Sequence, residues 1–172
     1  MGRWGDETTW RFSRGGRRRP SILLEGLIAG LAGAAAVALW FLVYDLAQGT
    51  PLRTPALLGA ALFEGLRSPD GLVATDRLVL KYTAVHVLAF VLFGWAAAGL
   101  LALADRDRRV LIGVFMLFCC FQVAALAAMM ILAQWLVEPI GWLSVVGANL
   151  LATLAMLAVF WRNHRLKPPA TV

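Results

Sequence analysis

Four long apolar runs, separated by polar segments, dominate the sequence. Each run exceeds about 20 residues, the length at which a helix rising 1.5 Å per residue crosses roughly 30 Å of hydrocarbon. The pattern predicts transmembrane helices at about 22–47, 78–104, 110–137 and 140–161. The expected fold class is all-α, a four-transmembrane-helix bundle with no soluble catalytic domain.

The loop at 48–76 contains a shorter apolar stretch at 55–66. Thr54-Pro55 predicts a helix start, because Thr is favoured at an N-cap and Pro at the first helical position. The stretch is too short to span, so we expect a short helix that lies at the outer interface or dips part way into the membrane. Glu138-Pro139 separates the last two spans and predicts a tight helical hairpin.

Composition and charge support a membrane location and set an orientation. The chain is 60% hydrophobic and 15% charged, whereas soluble domains have about 45–50% apolar and about 25% charged residues. The net charge of +6 does not indicate nucleic-acid binding, because the basic residues lie at the ends of the apolar runs. Twelve Lys and Arg lie in 1–20, in 105–109 and after Trp161, against four around the long loop. This asymmetry predicts that both termini are cytoplasmic.

Residues 1–20 form a basic arm that precedes the membrane domain at 21–172. Each Lys or Arg near an anionic leaflet contributes about 1 kcal/mol to membrane binding, and Trp rings favour the headgroup level. The arm is therefore predicted to lie on the anionic headgroups or on a cytoplasmic partner. Its candidate interaction residues are Trp4, Trp10, Arg17, Arg18 and Arg19.

Small residues repeat at helical spacing in the first and fourth spans. Small side chains let membrane helices approach closely and gain dispersion contacts. Packing within this bundle is the favoured interpretation, and an intermolecular face is the alternative. The candidate packing residues are Gly26, Gly30, Gly33, Ser144, Ala148 and Ala152.

Five polar residues lie within the spans: Asp45, Tyr82, His86, Gln122 and Asn149. A polar amide in hydrocarbon is costly without a partner, so Gln122 and Asn149 are expected to hydrogen-bond each other. Such a bond favours bundle stabilisation over a transport site.

His86 is the strongest candidate for chemistry, and it shares a helical face with Tyr82, Phe90 and Phe93. A buried histidine could carry a proton, or it could bind heme iron or chlorophyll magnesium. The favoured alternative is a structural histidine that hydrogen-bonds to Asp45, Tyr44 or the outer loop. The sequence requires no cofactor, although a lipid is compatible with it. No catalytic motif occurs, so an enzyme is not expected.

The segments 38–46, 49–52 and 54–59 resemble a group of uncharacterised bacterial membrane proteins of similar length. The resemblance lies mainly within 38–65 and excludes the arm. It implies a four-helix protein of the bacterial inner membrane, and it implies no function.

These patterns predict an accessory or structural subunit of a larger membrane complex, with other membrane subunits as partners and no nucleic acid. An energy-converting assembly, such as a photosynthetic reaction centre or a respiratory oxidase, is the leading interpretation. The first alternative is a small transporter or proton-conducting protein that uses the cluster of Asp45 and His86. The second is pigment or heme binding by His86.

Overall fold

The computed structural model describes residues 21–104, 109–133 and 141–164. Four helices are long and apolar enough to cross a membrane: α1 (Ile22–Ala47), α3 (Asp76–Ala104), α4 (Val110–Ala133) and α5 (Trp142–His164). A short helix, α2 (Arg53–Phe63), and a 3-10 turn (Pro69–Gly71) lie between α1 and α3. The predicted helical chain with four spans is confirmed, and the described ranges contain no strand.

The helix ends differ from the predicted ones by a few residues. α3 begins at Asp76 rather than 78, and α5 extends from Trp142 to His164 rather than over 140–161. The predicted end of the third span at 137, the hairpin at Glu138-Pro139 and the arm at 1–20 lie outside the described residues.

α1 packs closely against α3 through glycines on both helices. A Cβ atom on Gly30 would lie 2.5 Å from the carbonyl oxygen of Phe90, and a Cβ atom on Gly94 would overlap the carbonyl oxygen of Gly26. Only the missing side chains allow these two backbones to approach so closely. The contact is the small-residue association typical of membrane helices.

α5 packs against the neighbouring face of α1. Ala148, Ala152, Met156 and Phe160 are buried, and a Cβ atom on Gly33 would lie 2.9 Å from the side chain of Met156. The small residues predicted in both spans therefore lie in contacts within this chain. Two further bonds join these helices: Trp40 Nε1 donates to Ser144 Oγ at 3.0 Å, and Asn163 Nδ2 donates to Glu25 Oε1 at 3.3 Å.

α2 lies across the start of α3, where Gly59 allows close approach. A Cβ atom on Gly59 would lie 2.7 Å from the carbonyl oxygen of Leu78. The predicted bounds of 55–66 are wrong at both ends, because α2 begins at Arg53 and ends at Phe63. Its N-cap is Leu52, in the left-handed region at φ 63°, so Thr54 lies inside the first turn instead of capping it.

α4 is the most peripheral of the four long helices. Only 6% of its most apolar window is buried inside the chain, against 28–39% for the other three. It packs on α3 mainly through Phe118 and Phe121, whose rings contact Phe93 at centroid distances of 5.1 and 4.1 Å. Most of its remaining surface is open to the surroundings.

Candidate functional site

A cavity of about 440 Å³ lies where α1, α2 and α5 face α3 and α4. We call it the main cavity. The described part of its wall is apolar apart from four polar side chains: Thr54, Tyr82, His86 and Asn149. The apolar part consists of Val37, Phe41, Leu58, Ala61, Leu62, Val85, Ala89, Phe90, Phe121, Ala124, Ala125, Ala128 and Val145.

Aromatic rings form a continuous row along one side of the main cavity. Tyr82 stacks on His86 at a centroid distance of 5.8 Å, and His86 contacts Phe90 at 4.8 Å. Phe90 meets the edge of Phe121 on α4 at 5.3 Å, and Phe121 stacks on Phe93. The helical spacing of these α3 residues places them on one face, and α4 completes the row.

His86 contacts the backbone of α1 instead of an acidic side chain. Its Nε2 atom lies 3.3 Å from the carbonyl oxygen of Ala34. Because a carbonyl oxygen only accepts, Nε2 carries the proton in this contact, and Nδ1 of the neutral ring keeps a free lone pair. The expected bond to Asp45, Tyr44 or the outer loop is wrong: helix packing brings the ring to Ala34, a partner that no side-chain pattern reveals.

Asp45 serves a different purpose from the one expected. The residue is 3% exposed, and its carboxylate accepts two hydrogen bonds from Thr54: one from the backbone N–H at 2.8 Å and one from the hydroxyl at 2.6 Å. Thr54 lies in the first turn of α2, where backbone N–H groups lack partners and the helix dipole favours an anion. Asp45 therefore fixes α2 against the end of α1.

A smaller cavity of about 180 Å³, the side cavity, lies next to the main cavity. Both are lined by Tyr82 and His86, so the two spaces meet at these rings. Asp45 lines only the side cavity. Thr54 already binds both oxygens of its carboxylate.

The expected hydrogen bond between Gln122 and Asn149 is not formed between these described residues. α4 and α5 pack only loosely against each other, and Asn149 instead lines the main cavity. Asn149 is 8% exposed, and its side chain forms no hydrogen bond with any residue that the structure describes. Thr153 binds only its backbone carbonyl, at 2.9 Å.

The main cavity is suited to binding neutral molecules. Among the residues that the structure describes, no Asp, Glu, Lys or Arg lines it. Within 21–104, 109–133 and 141–164, no group of three or more His, Cys, Asp or Glu could hold a metal ion. The polar side chains of the main cavity can donate and accept hydrogen bonds without placing a full charge in the apolar interior.

No family model, curated protein or solved structure matches this chain. The resemblance of 38–65 to bacterial four-helix membrane proteins therefore stays a prediction. What the chain does has to be argued from the geometry of its cavities and helix surfaces.

The contacts of several residues at the site could not be predicted from the sequence. The sequence predicts Thr54 as the N-cap of the short helix, yet its hydroxyl donates to the carboxylate of Asp45. Glu25 is buried, at 8% exposure, and accepts a hydrogen bond from Asn163. Phe121 completes the aromatic row from a second helix. Of these contacts, only the one between Thr54 and Asp45 has a signal in the sequence, because an Asp side chain can accept hydrogen bonds from the first turn of a helix that follows it. The candidate arm residues Trp4, Trp10, Arg17, Arg18 and Arg19 lie outside the described residues.

Proposed function

We propose that this chain is a non-enzymatic accessory subunit of a larger complex in a bacterial inner membrane, with both termini in the cytoplasm. An energy-converting complex, photosynthetic or respiratory, is the favoured setting. The supporting observation is the weak packing of α4, of which only 6% of the apolar window is buried inside the chain. The glycines of α1 and Gly94 of α3 contact other helices of the same chain. α4 is the long helix with the most surface available for packing against another subunit.

The outward residues of α4 suit a helix–helix contact in the membrane. Membrane helices associate through shape and dispersion contacts, since lipid offers no hydrophobic gain. Flexible Met and flat aromatic side chains adapt to such contacts. The exposed large residues are Leu111, Ile112, Phe115, Met116, Val123, Met130 and Ile131. The partner is a transmembrane helix of another subunit.

Two cysteines on α4 provide a direct test without altering the protein. Cys119 and Cys120 are exposed, free, and the only cysteines of the chain. In native membranes the partner should shield them from a lipid-soluble maleimide. The same chain expressed alone in foreign membranes should be labelled. Equal labelling in the two membranes would contradict a partner on α4.

A matched control separates partner protection from poor reactivity of thiols in lipid. Leu150 on α5 is also exposed. A Leu150→Cys variant in a Cys119→Ala/Cys120→Ala background should be labelled equally in both membranes. After mild solubilisation, the native protein should migrate with other subunits. Migration alone, near its 18.7 kDa plus detergent, would defeat the proposal.

The geometry gives less support to the two alternatives. A proton pathway through Asp45 and His86 would have to break the two bonds from Thr54 that hold the carboxylate. Heme or chlorophyll binding would have to use Nδ1 of His86, since Nε2 faces the Ala34 carbonyl. An absorption spectrum of the purified protein with visible bands would revive pigment binding.

A further inference from the structure

The main cavity reaches the lateral surface of the helix bundle, because exposed residues form part of its wall. Its wall includes the exposed side chains of Leu62 on α2, Val85 and Ala89 on α3, and Ala124 and Ala128 on α4. These residues lie on the outer surface of helices that are long and apolar enough to span, or of the short helix beside them. A molecule entering here would come from the lipid phase.

The same cavity is lined by a buried polar side chain that has no hydrogen-bond partner among the described residues. Asn149 is 8% exposed and lines the cavity, and its side chain forms no hydrogen bond with the described part of the chain. Within the same part, the Tyr82 hydroxyl also forms none. An unsatisfied amide in hydrocarbon is costly, and the bilayer core offers no water to satisfy it. A bound molecule with an oxygen substituent would satisfy it.

The wall also defines the charge and shape of such a molecule. A neutral molecule fits best, because no charged side chain in the described part of the chain lines the main cavity to compensate a buried ion. A planar ring suits the row of Tyr82, His86 and Phe90, because aromatic faces favour stacked and edge contacts. The volume of 440 Å³ lies within the range of about 300–1,000 Å³ that is typical of small-molecule sites.

We propose that the main cavity binds a neutral, lipid-soluble molecule with a planar ring that carries carbonyl or hydroxyl oxygens, the chemical class of the membrane quinones. The amide of Asn149 donates to a ring carbonyl or accepts from a ring hydroxyl. Nδ1 of His86 provides a second acceptor, because Nε2–H is committed to Ala34. The apolar tail leaves through the lateral opening into lipid. The inference concerns binding only and does not depend on the accessory-subunit proposal.

The test uses the full chain in phosphatidylcholine nanodiscs, with decylubiquinone as the probe. Binding is measured as saturable quenching of tryptophan fluorescence, after subtraction of the quenching seen with free tryptophan in empty nanodiscs. Two variants place a ring on the same helix: Ala124→Phe fills the cavity wall, whereas Ala127→Phe adds a ring at an exposed position that does not line it. A third, Asn149→Leu, keeps the size of the side chain and removes its polar atoms.

The wild-type chain and Ala127→Phe should bind at one saturable site with similar affinity. Ala124→Phe should lose saturable binding, and Asn149→Leu should weaken it about tenfold, as expected for one buried hydrogen bond. Equal helical content by circular dichroism excludes misfolding as the cause. Non-saturable quenching, or equal affinity of the two phenylalanine variants, would overturn the proposal. A tightly copurifying phospholipid that decylubiquinone fails to displace would overturn it as well, and would assign the cavity to an acyl chain.

Discussion

Asp45→Asn is the most informative single change in the α2 region. Asp45 is a buried residue, and its carboxylate accepts both hydrogen bonds from Thr54. The substitution keeps the size of the side chain. It removes the charge and replaces one acceptor oxygen with an NH₂ group, which cannot accept from Thr54.

The expected cost follows from the two bonds. A hydrogen bond to a charged group contributes about 1.5–3 kcal/mol, and an anion at a helix N-terminus adds about 0.3–1 kcal/mol. Asn retains one acceptor, so one bond and the charge are lost while the other weakens. We expect α2 to be destabilised by about 2 kcal/mol, which raises the population of its unfolded state about 30-fold.

Limited proteolysis measures that population directly. Arg53 is the first residue of α2, and trypsin can cut after it only when the first turn opens. When opening and closing are fast, the cleavage rate follows the open population. Arg67 is exposed in the segment that follows α2, so its cleavage serves as an internal reference. Asp45→Asn should raise the ratio of cleavage at Arg53 to cleavage at Arg67 by about 30-fold.

Substitutions at Thr54 separate the two bonds. Thr54→Ser keeps both donors and should leave the cleavage ratio near that of the wild type. Thr54→Val keeps the shape and the backbone N–H and loses the hydroxyl, so it should give an intermediate increase. If Asp45→Asn left the ratio unchanged, or Thr54→Ser raised it as much as Thr54→Val, the carboxylate would not be what holds α2.

Two further predictions concern the packing of α1, each measured as the free energy of unfolding in a detergent titration. Gly94→Ala should destabilise the chain by about 1–3 kcal/mol, because its Cβ would overlap the Gly26 carbonyl. Gly99 lies on the same helix, and a Cβ atom there would have nothing within 4 Å, so Gly99→Ala should be neutral or slightly stabilising. An equal loss of stability in the two variants would refute the close approach of α1 and α3 at Gly94. Asn163→Ala should cost about 1–2 kcal/mol by removing a donor to the buried Glu25, and an unchanged stability would show that this bond contributes nothing.

The spans could be predicted from sequence because each is a local property. A run of apolar residues long enough to cross hydrocarbon has one favourable structure, a helix whose backbone bonds are satisfied internally. The glycines of α1 follow the same logic, since their spacing alone places them on one face. Their partner Gly94 could not be predicted, because α3 has no run of glycines at helical spacing and the contact depends on how α1 and α3 align.

The site could not be predicted because its contacts join residues far apart in the chain. His86 lies 52 residues from Ala34, and the atom it contacts is a backbone carbonyl, which every residue has. The pairing of Gln122 with Asn149 was expected because both amides lie near mid-span. A position near mid-span does not determine which neighbour a side chain contacts, and here Asn149 lines the main cavity.

The main cavity exists because α4 carries large and small residues in sequence along one side. Phe118 and Phe121 pack against Phe93 on α3. Ala124, Ala125 and Ala128 follow, and these small side chains leave space open in the main cavity. A leucine in that space would bury more apolar area at little steric cost, and stability alone would favour it. The open space and the Asn149 amide, which has no partner among the described residues, each cost stability. A molecule that fills the space and hydrogen-bonds to Asn149 removes both costs.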